Sequence, residues 1–158
     1  FTRKALQLLD EDNDDHKEKL MLAYNFKIFE YMDKKNLEEV QRLSKMSIDY
    51  ALSVGDYRSV STDISNLSRF TLEISDDYTS ALSLAESGLK YAEMVGEFDR
   101  IITCKMTVLT ALVAGSSIPK ARDLFREINL ELTTHGINPP QKWENQGYDF
   151  DLLQSICG

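Results

Sequence analysis

The sequence predicts an all-α chain of stacked antiparallel helix pairs, and three observations predict it. First, a pattern recurs along the chain: Tyr50, Ala51, Val54, Gly55, Asp56 and Tyr57 match Tyr91, Ala92, Val95, Gly96, Glu97 and Phe98, each 41 positions on, and Gly136 follows Gly96 by 40. Upstream of those glycines, Val40, Ala81 and Ala121 keep the same spacings, with Leu43, Leu84 and Leu124 three residues after each. Second, apolar residues between the glycines recur every three or four positions, the period of a helix with one buried stripe. Third, no segment alternates as a half-buried strand would.

Taken in order, residues 1–9 carry Ala5, Leu6, Leu8 and Leu9 and read as the end of a helix. Asp10 to Asp15 then places five carboxylates in six residues. Asp10, Asp12 and Asp14 have the spacing with which a calcium-binding EF-hand loop begins, but the sixth place holds Asp15 where Gly is needed, and the twelfth holds Met21 where a bidentate Glu is needed. The run is better read as a solvated connection into an acidic helix start, with Asp15 and Glu18 spaced as a capping box.

From His16 to about Lys34, Leu20, Ala23, Tyr24, Ile28 and Tyr31 form a helical stripe. Met21, Leu22, Phe26, Phe29 and Met32 widen it, so this helix is expected to be covered on most sides. Asn36 then stands as an N-cap with Glu39 three places on, opening a helix that Gly55 closes where a left-handed residue costs nothing sterically. Asp56 opens the third helix, reaching about Ile74. Asp76 or Asp77 opens the fourth, closed by Gly96; Gly88 within it costs about 1 kcal/mol against Ala and requires a close helix crossing to justify it. The third pair runs from Glu97 to about Ala114 and from Ser117 to about Thr133, with Pro119 in a first turn where its missing N–H does no harm. After Gly136, Asn138, Pro139 and Pro140 argue against an immediate helix, Trp143 stands isolated, and Tyr148 to Ile156 makes one short helix. One domain over 1–158 is the natural count, with repeats at about 15–55, 56–96 and 97–136, and 137–158 a cap, a linker or a partial fourth repeat.

Within each pair the second helix carries a small residue (Val40, Ala81, Ala121), a large apolar one three or four later (Leu43, Leu84, Leu124, Phe125), another small one (Ser47, Gly88) and a closing Ala (Ala51, Ala92). This grammar resembles the tetratricopeptide repeat over residues 15 to 135. The period of 41 exceeds that family's usual 34 and resembles the long-period arrays of bacterial transcriptional regulators and signalling proteins. The first-helix signature is poorly matched, and HEAT- or armadillo-type arrays, which share the longer period, are the alternative family. The resemblance implies a right-handed superhelix of about three helix pairs plus terminal helices, an α-solenoid whose first helices line a concave groove receiving a peptide or partner domain.

Composition narrows the function classes. The formal charge of −8, from 26 acidic against 18 basic residues, argues against a phosphate-binding surface and hence against nucleic acid. No stretch approaches 18 consecutive apolar residues, so no membrane span is expected. Cys104 and Cys157 are too few for a disulfide framework and lack metal-ligand spacing, which points to a reducing, cytoplasmic setting without metal or cofactor. The chain begins with Phe1 and stops at Gly158 just after an apolar run, which suggests a segment excised from a larger regulatory protein.

No catalytic constellation stands out: His16 and His135 sit at helix ends, distant in sequence from both cysteines, and no Gly-rich phosphate loop follows a strand. The expected class is a non-catalytic interaction module. Its candidate ligand-reading residues are Asn25, Asn66 and Thr107, spaced 41 apart so that superposed repeats place them in one row, and Arg69, one turn from Asn66, which could meet a carboxylate. A side-chain amide can bond both donor and acceptor of an extended peptide backbone, as similar groove-lining Asn residues do in peptide-binding members of the family. Two alternatives stand beside this one. Phe26, Phe29, Met32, Tyr78 and Trp143 exceed what three hairpins obviously bury, which suggests self-association as a dimer. A small-molecule sensor or enzyme would require a deep cavity with converging ionisable groups.

Overall fold

The computed structural model describes residues 14–158, the side chains of residues 14–18 and 20–22 excepted. The expected helix over residues 1–9 and most of the acidic run lie outside the described residues. Eight helices follow and no strand is found among the described residues: α1 (Asp14–Asp33), α2 (Leu37–Ser53), α3 (Tyr57–Ile74), α4 (Tyr78–Val95), α5 (Phe98–Ala114), α6 (Ile118–Thr134), α7 (Pro139–Asn145) and α8 (Phe150–Cys157). The chain is all-α.

Local chemistry sets the boundaries. Asn36, Asp56 and Asp77 each accept a hydrogen bond from the backbone N–H three residues on, at Glu39, Ser59 and Ser80, so a free donor of each first turn is satisfied. Between pairs, Gly55, Gly96 and Gly136 all adopt the left-handed region, at φ 71°, 80° and 70°, and open space surrounds the position of a Cβ at each. The three therefore occupy one conformational role at the ends of α2, α4 and α6. Within pairs, by contrast, the left-handed positions fall on Lys35 (φ 54°) and Ser116 (φ 60°). At the third turn, Gly115 keeps a negative φ while its serine neighbour is inverted.

Each of α1 to α6 packs on the next in sequence, and α3 also touches α5. Side chains about one period apart meet as a result: Ser65 Oγ lies 3.4 Å from Cys104 Sγ, Arg100 donates to Thr62 at 2.6 Å, and Lys142 pairs with Asp99.

Two kinds of packing hold the chain. The buried face of α3 includes Ser61, Ser65, Ser68 and Thr71, set against Ala81, Ala85, Gly88 and Ala92 of α4. A Cβ on Gly88 would come within 2.6 Å of Ser65 Oγ and 3.3 Å of the Ser61 carbonyl, so the glycine is required by a close helix crossing. Ser68 Oγ donates to the Ala81 carbonyl at 2.6 Å, which satisfies a hydroxyl that the tight seam would otherwise strand. The other kind is a large apolar cluster joining α5 and α6 to the tail, with Ile102, Met106, Leu109, Phe125, Ile128, Leu132 and Trp143 at its centre.

The tail corrects two expectations. Pro139 and Pro140 start α7 at its first positions, where a proline lacks only an N–H that has no helical partner anyway. Trp143 is fully buried: its ring lies 5.4 Å from that of Phe125 and 5.3 Å from that of Tyr148, and its Nε1 donates to Asn129 Oδ1 at 2.7 Å. Tyr148 in turn meets Thr110 at 3.0 Å. The tail thus packs over α5 and α6. At the other end two of the residues expected to be covered on α1, Phe26 and Phe29, remain 55% and 61% exposed.

Candidate binding groove

The first helices of the first two pairs, α1 and α3, diverge over a groove of about 500 Å3, closed beneath by Val40 and Ser44 of α2. Ile28, Phe29 and Met32 of α1 and Leu67 and Phe70 of α3 supply apolar surface, while Asn25, Asp63, Asn66, Arg69 and Glu73 supply the polar groups. A second depression of about 270 Å3 adjoins it between α3 and α5. Thr62, Asn66 and Arg69 line both, so this stretch of α3 forms the ridge between them.

Three of the four residues selected from the sequence therefore share one groove. Asn66 is exposed, with its amide free of hydrogen bonds among the described residues. Asn25 is half-buried, its Oδ1 3.4 Å from Ser47 Oγ. Arg69 is exposed but tethered, donating from Nε to Thr107 Oγ1 at 3.3 Å. Thr107 itself is fully buried and gives its hydroxyl proton to the Thr103 carbonyl at 3.2 Å. It stands behind Arg69 and orients the guanidinium, instead of facing the groove. The cause is the burial of α5 on several sides by α3, α4 and α6: a position exposed on α3 becomes interior one period later.

Asp63, not selected from the sequence, is the half-buried charge of the groove, while Glu73, one turn beyond Arg69, is exposed. Asp63 accepts from Ser47 Oγ at 2.9 Å. Burial pushes its carboxyl above the ordinary aspartate range, the Ser47 hydrogen bond pulls it back in part, and the charge of Asp56 pushes it up further. One signal could have found it: the positions 41 residues before and after are Leu22 and Cys104, so an acid occupies a column otherwise apolar.

Nothing in the groove assembles a nucleophile. The Cys104 thiol is buried and pushed up chiefly by that burial, with Ser65, Arg100 and Arg69 acting in the opposite sense, so the thiolate is disfavoured. Among the described residues no group of three His, Cys, Asp or Glu side chains is placed to hold a metal ion, and no helix is long and apolar enough to cross a membrane. Comparison of the chain with protein-family models, with curated proteins and with solved structures finds no match.

Proposed function

We propose that this chain is a non-catalytic interaction module, a tetratricopeptide-like ribbon of about three helix pairs that receives an extended peptide or partner segment along its first helices. The observation that carries this is the groove between α1 and α3, where Asn25, Asn66 and Arg69 face one apolar trough. Side-chain contacts between residues about 40 apart support the ribbon geometry, because stacking in register brings neighbours of that separation together. An amide such as Asn66, free on both its donor and acceptor sides, suits the alternating groups of an extended backbone. The trough suits apolar side chains between them. The resemblance of the long-period pattern to arrays of bacterial regulators supports reading the module as the regulatory or sensory part of a larger, bacterial-type signalling or transcription-regulator protein. Two unpaired, buried cysteines suit a reducing, cytoplasmic setting.

The test is selection of random linear peptides from a display library on the whole chain. Peptides retained by the wild-type protein and released by the Asn66→Ala, Arg69→Ala double variant, at unchanged helicity, support the groove. Retention by the double variant places recognition elsewhere.

A second reading, self-association, draws on Phe26 and Phe29, large rings left exposed on α1. Light scattering separates it: a mass that grows with concentration and reverts on Phe26→Ser supports a dimer through α1, and a constant monomer removes it.

A further inference from the structure

Resting on the groove reading above, we propose that the ligand is a short extended peptide carrying a basic side chain for Asp63 and, two or three residues along, a carboxylate for Arg69. Many of the charges in this chain are already matched. Lys105 lies between Glu127 and Glu131, Glu97 is shared by Arg58 and Arg100, and Lys142 meets Asp99. Asp63 and Arg69 have no ion-pair partner among the described residues. Each is instead held by one neutral hydroxyl, Ser47 for the acid and Thr107 for the base. A hydroxyl fixes the direction of a charged side chain without compensating its charge. A half-buried carboxylate so held carries a desolvation cost that a counter-charge from a ligand would offset.

Among the described residues, the groups around Asp63 do not offer that counter-charge. Asn25 and Ser47 approach from α1 and α2, Asn66 follows one turn on along α3, and the like charge of Asp56 acts on it from the start of the same helix. At the other end Arg69 keeps two guanidinium nitrogens for the groove, since only its Nε is used. Six residues of helix separate the two charges, an advance of about 9 Å at 1.5 Å per residue. An extended chain covers that in two or three residues at about 3.3 Å each. Between them Asn66 can bond the ligand backbone, and Phe29, Met32 and Phe70 receive the intervening side chain. The charges of the groove discriminate: a doubly acidic peptide is repelled at Asp63 and at Glu73, which lines the same groove one turn beyond Arg69, and a doubly basic one at Arg69, the repulsive half of specificity.

The experiment titrates the whole chain with fluorescein-labelled, end-capped peptides, followed by anisotropy. The set contains Arg-Leu-Leu-Glu and Arg-Leu-Glu cores in both orders, and Arg-Leu-Leu-Arg, Glu-Leu-Leu-Glu and Gln-Leu-Leu-Gln as comparators. One order of a mixed-charge core is expected to bind at least tenfold more tightly than the neutral core, with an advantage that shrinks as salt is raised. Asp63→Asn, nearly isosteric and still able to accept from Ser47, should erase that advantage at unchanged helicity, and Asp63→Arg should transfer the preference to the doubly acidic core. Equal binding of all the cores, or an advantage untouched by Asp63→Asn, overturns the proposal. Its failure is distinct from that of the groove itself: Asn66-dependent peptides selected from the library but lacking the charge pattern refute the charge assignment alone, whereas no selected peptide at all refutes both.

Discussion

The two halves of this chain solve the same packing problem in opposite ways. Along α3 and α4 the seam is made of Ser, Thr, Ala and Gly, and the large apolar side chains form two separate small clusters around Val40 and Phe70 and around Val60 and Ile64. Along α5 and α6 one continuous cluster runs from Ile102 to Trp143 and is closed by α7 and α8. The charges placed between helices differ as well. Lys105, nearly buried in the second half, is neutralised by two glutamates, while Asp63 and Arg69 in the first half are left without counter-ions among the described residues. A half that is sealed and apolar, with its buried lysine neutralised, suits a foundation. The half with the close-set seam holds the groove, lined by two charges that lack counter-ions among the described residues.

Removing the centre of the sealed half should show the largest effect. Trp143→Ala deletes a fully buried indole together with its contacts to Phe125 and Tyr148, and leaves Asn129 Oδ1 without its donor. A loss of about 3–5 kcal/mol in urea unfolding is expected, the range for truncating a buried aromatic. A loss below about 1 kcal/mol would mean that α7 and α8 do not close the cluster.

The open half is challenged by adding volume, not removing it. Gly88→Ala brings a better helix former, yet its methyl group meets Ser65 Oγ and the Ser61 backbone carbonyl. Overpacking should prevail at a net cost of about 1–3 kcal/mol. Because the nearer obstacle is a side-chain oxygen, Ser65→Ala in the same chain should recover part of the loss. Additive effects of the two substitutions would show that the crossing is looser than the distances indicate.

How far this division could be read from the sequence depends on the range of the forces involved. Asn36 and Asp56 were legible as caps, the fourth helix start was narrowed to Asp76 or Asp77, and Gly55, Gly96 and Gly136 were legible as helix ends, because capping and positive φ are settled within a few residues of chain. Gly88 announced a close crossing because a mid-helix glycine is otherwise unfavourable. Trp143 was opaque, since its burial depends on residues 14 and 18 positions before it, Asn129 and Phe125, and on the fold of a tail whose prolines read as helix breakers. Thr107 kept the 41-residue spacing of Asn25 and Asn66 but lost their exposure, because a repeat in sequence does not repeat its surroundings and α5 is packed by α3, α4 and α6. Asp63 went unnoticed for the converse reason: it departs from its column, and repeat matching attends to what recurs.

The turns sharpen the comparison by behaving alike on both sides of it. With open space around each Cβ position, Gly55→Ala in the first half and Gly136→Ala in the second should cost about 1 kcal/mol each, the strain of a left-handed alanine alone. Ser116→Gly should work in reverse, relieving a φ of 60° and raising the melting temperature by about 2–4 °C if the gain reaches 1 kcal/mol. Unequal costs for the two glycines would assign the turns to tertiary packing instead of to local geometry.

Asp63→Asn should have the smallest effect and the most informative sign. Burial raises the carboxyl of Asp63 above its ordinary value, so between the unfolded and folded values the folded chain binds more protons than the unfolded one. Its contribution to stability is then fully present below the ordinary aspartate value of about 3.9 and is lost as pH rises through the folded value. At neutral pH the amide, which has no charge to desolvate, should therefore stabilise the free protein by less than about 1 kcal/mol, and the gain should vanish in melts below about pH 4. A saturating mixed-charge peptide reverses the comparison: its basic side chain neutralises the carboxylate of the wild-type chain but finds no counter-charge on the amide. The wild type should then melt above the variant at neutral pH, so that one substitution stabilises the empty groove and weakens the filled one. If the amide stabilises both states equally, Asp63 is a cost to folding with no counterpart in recognition.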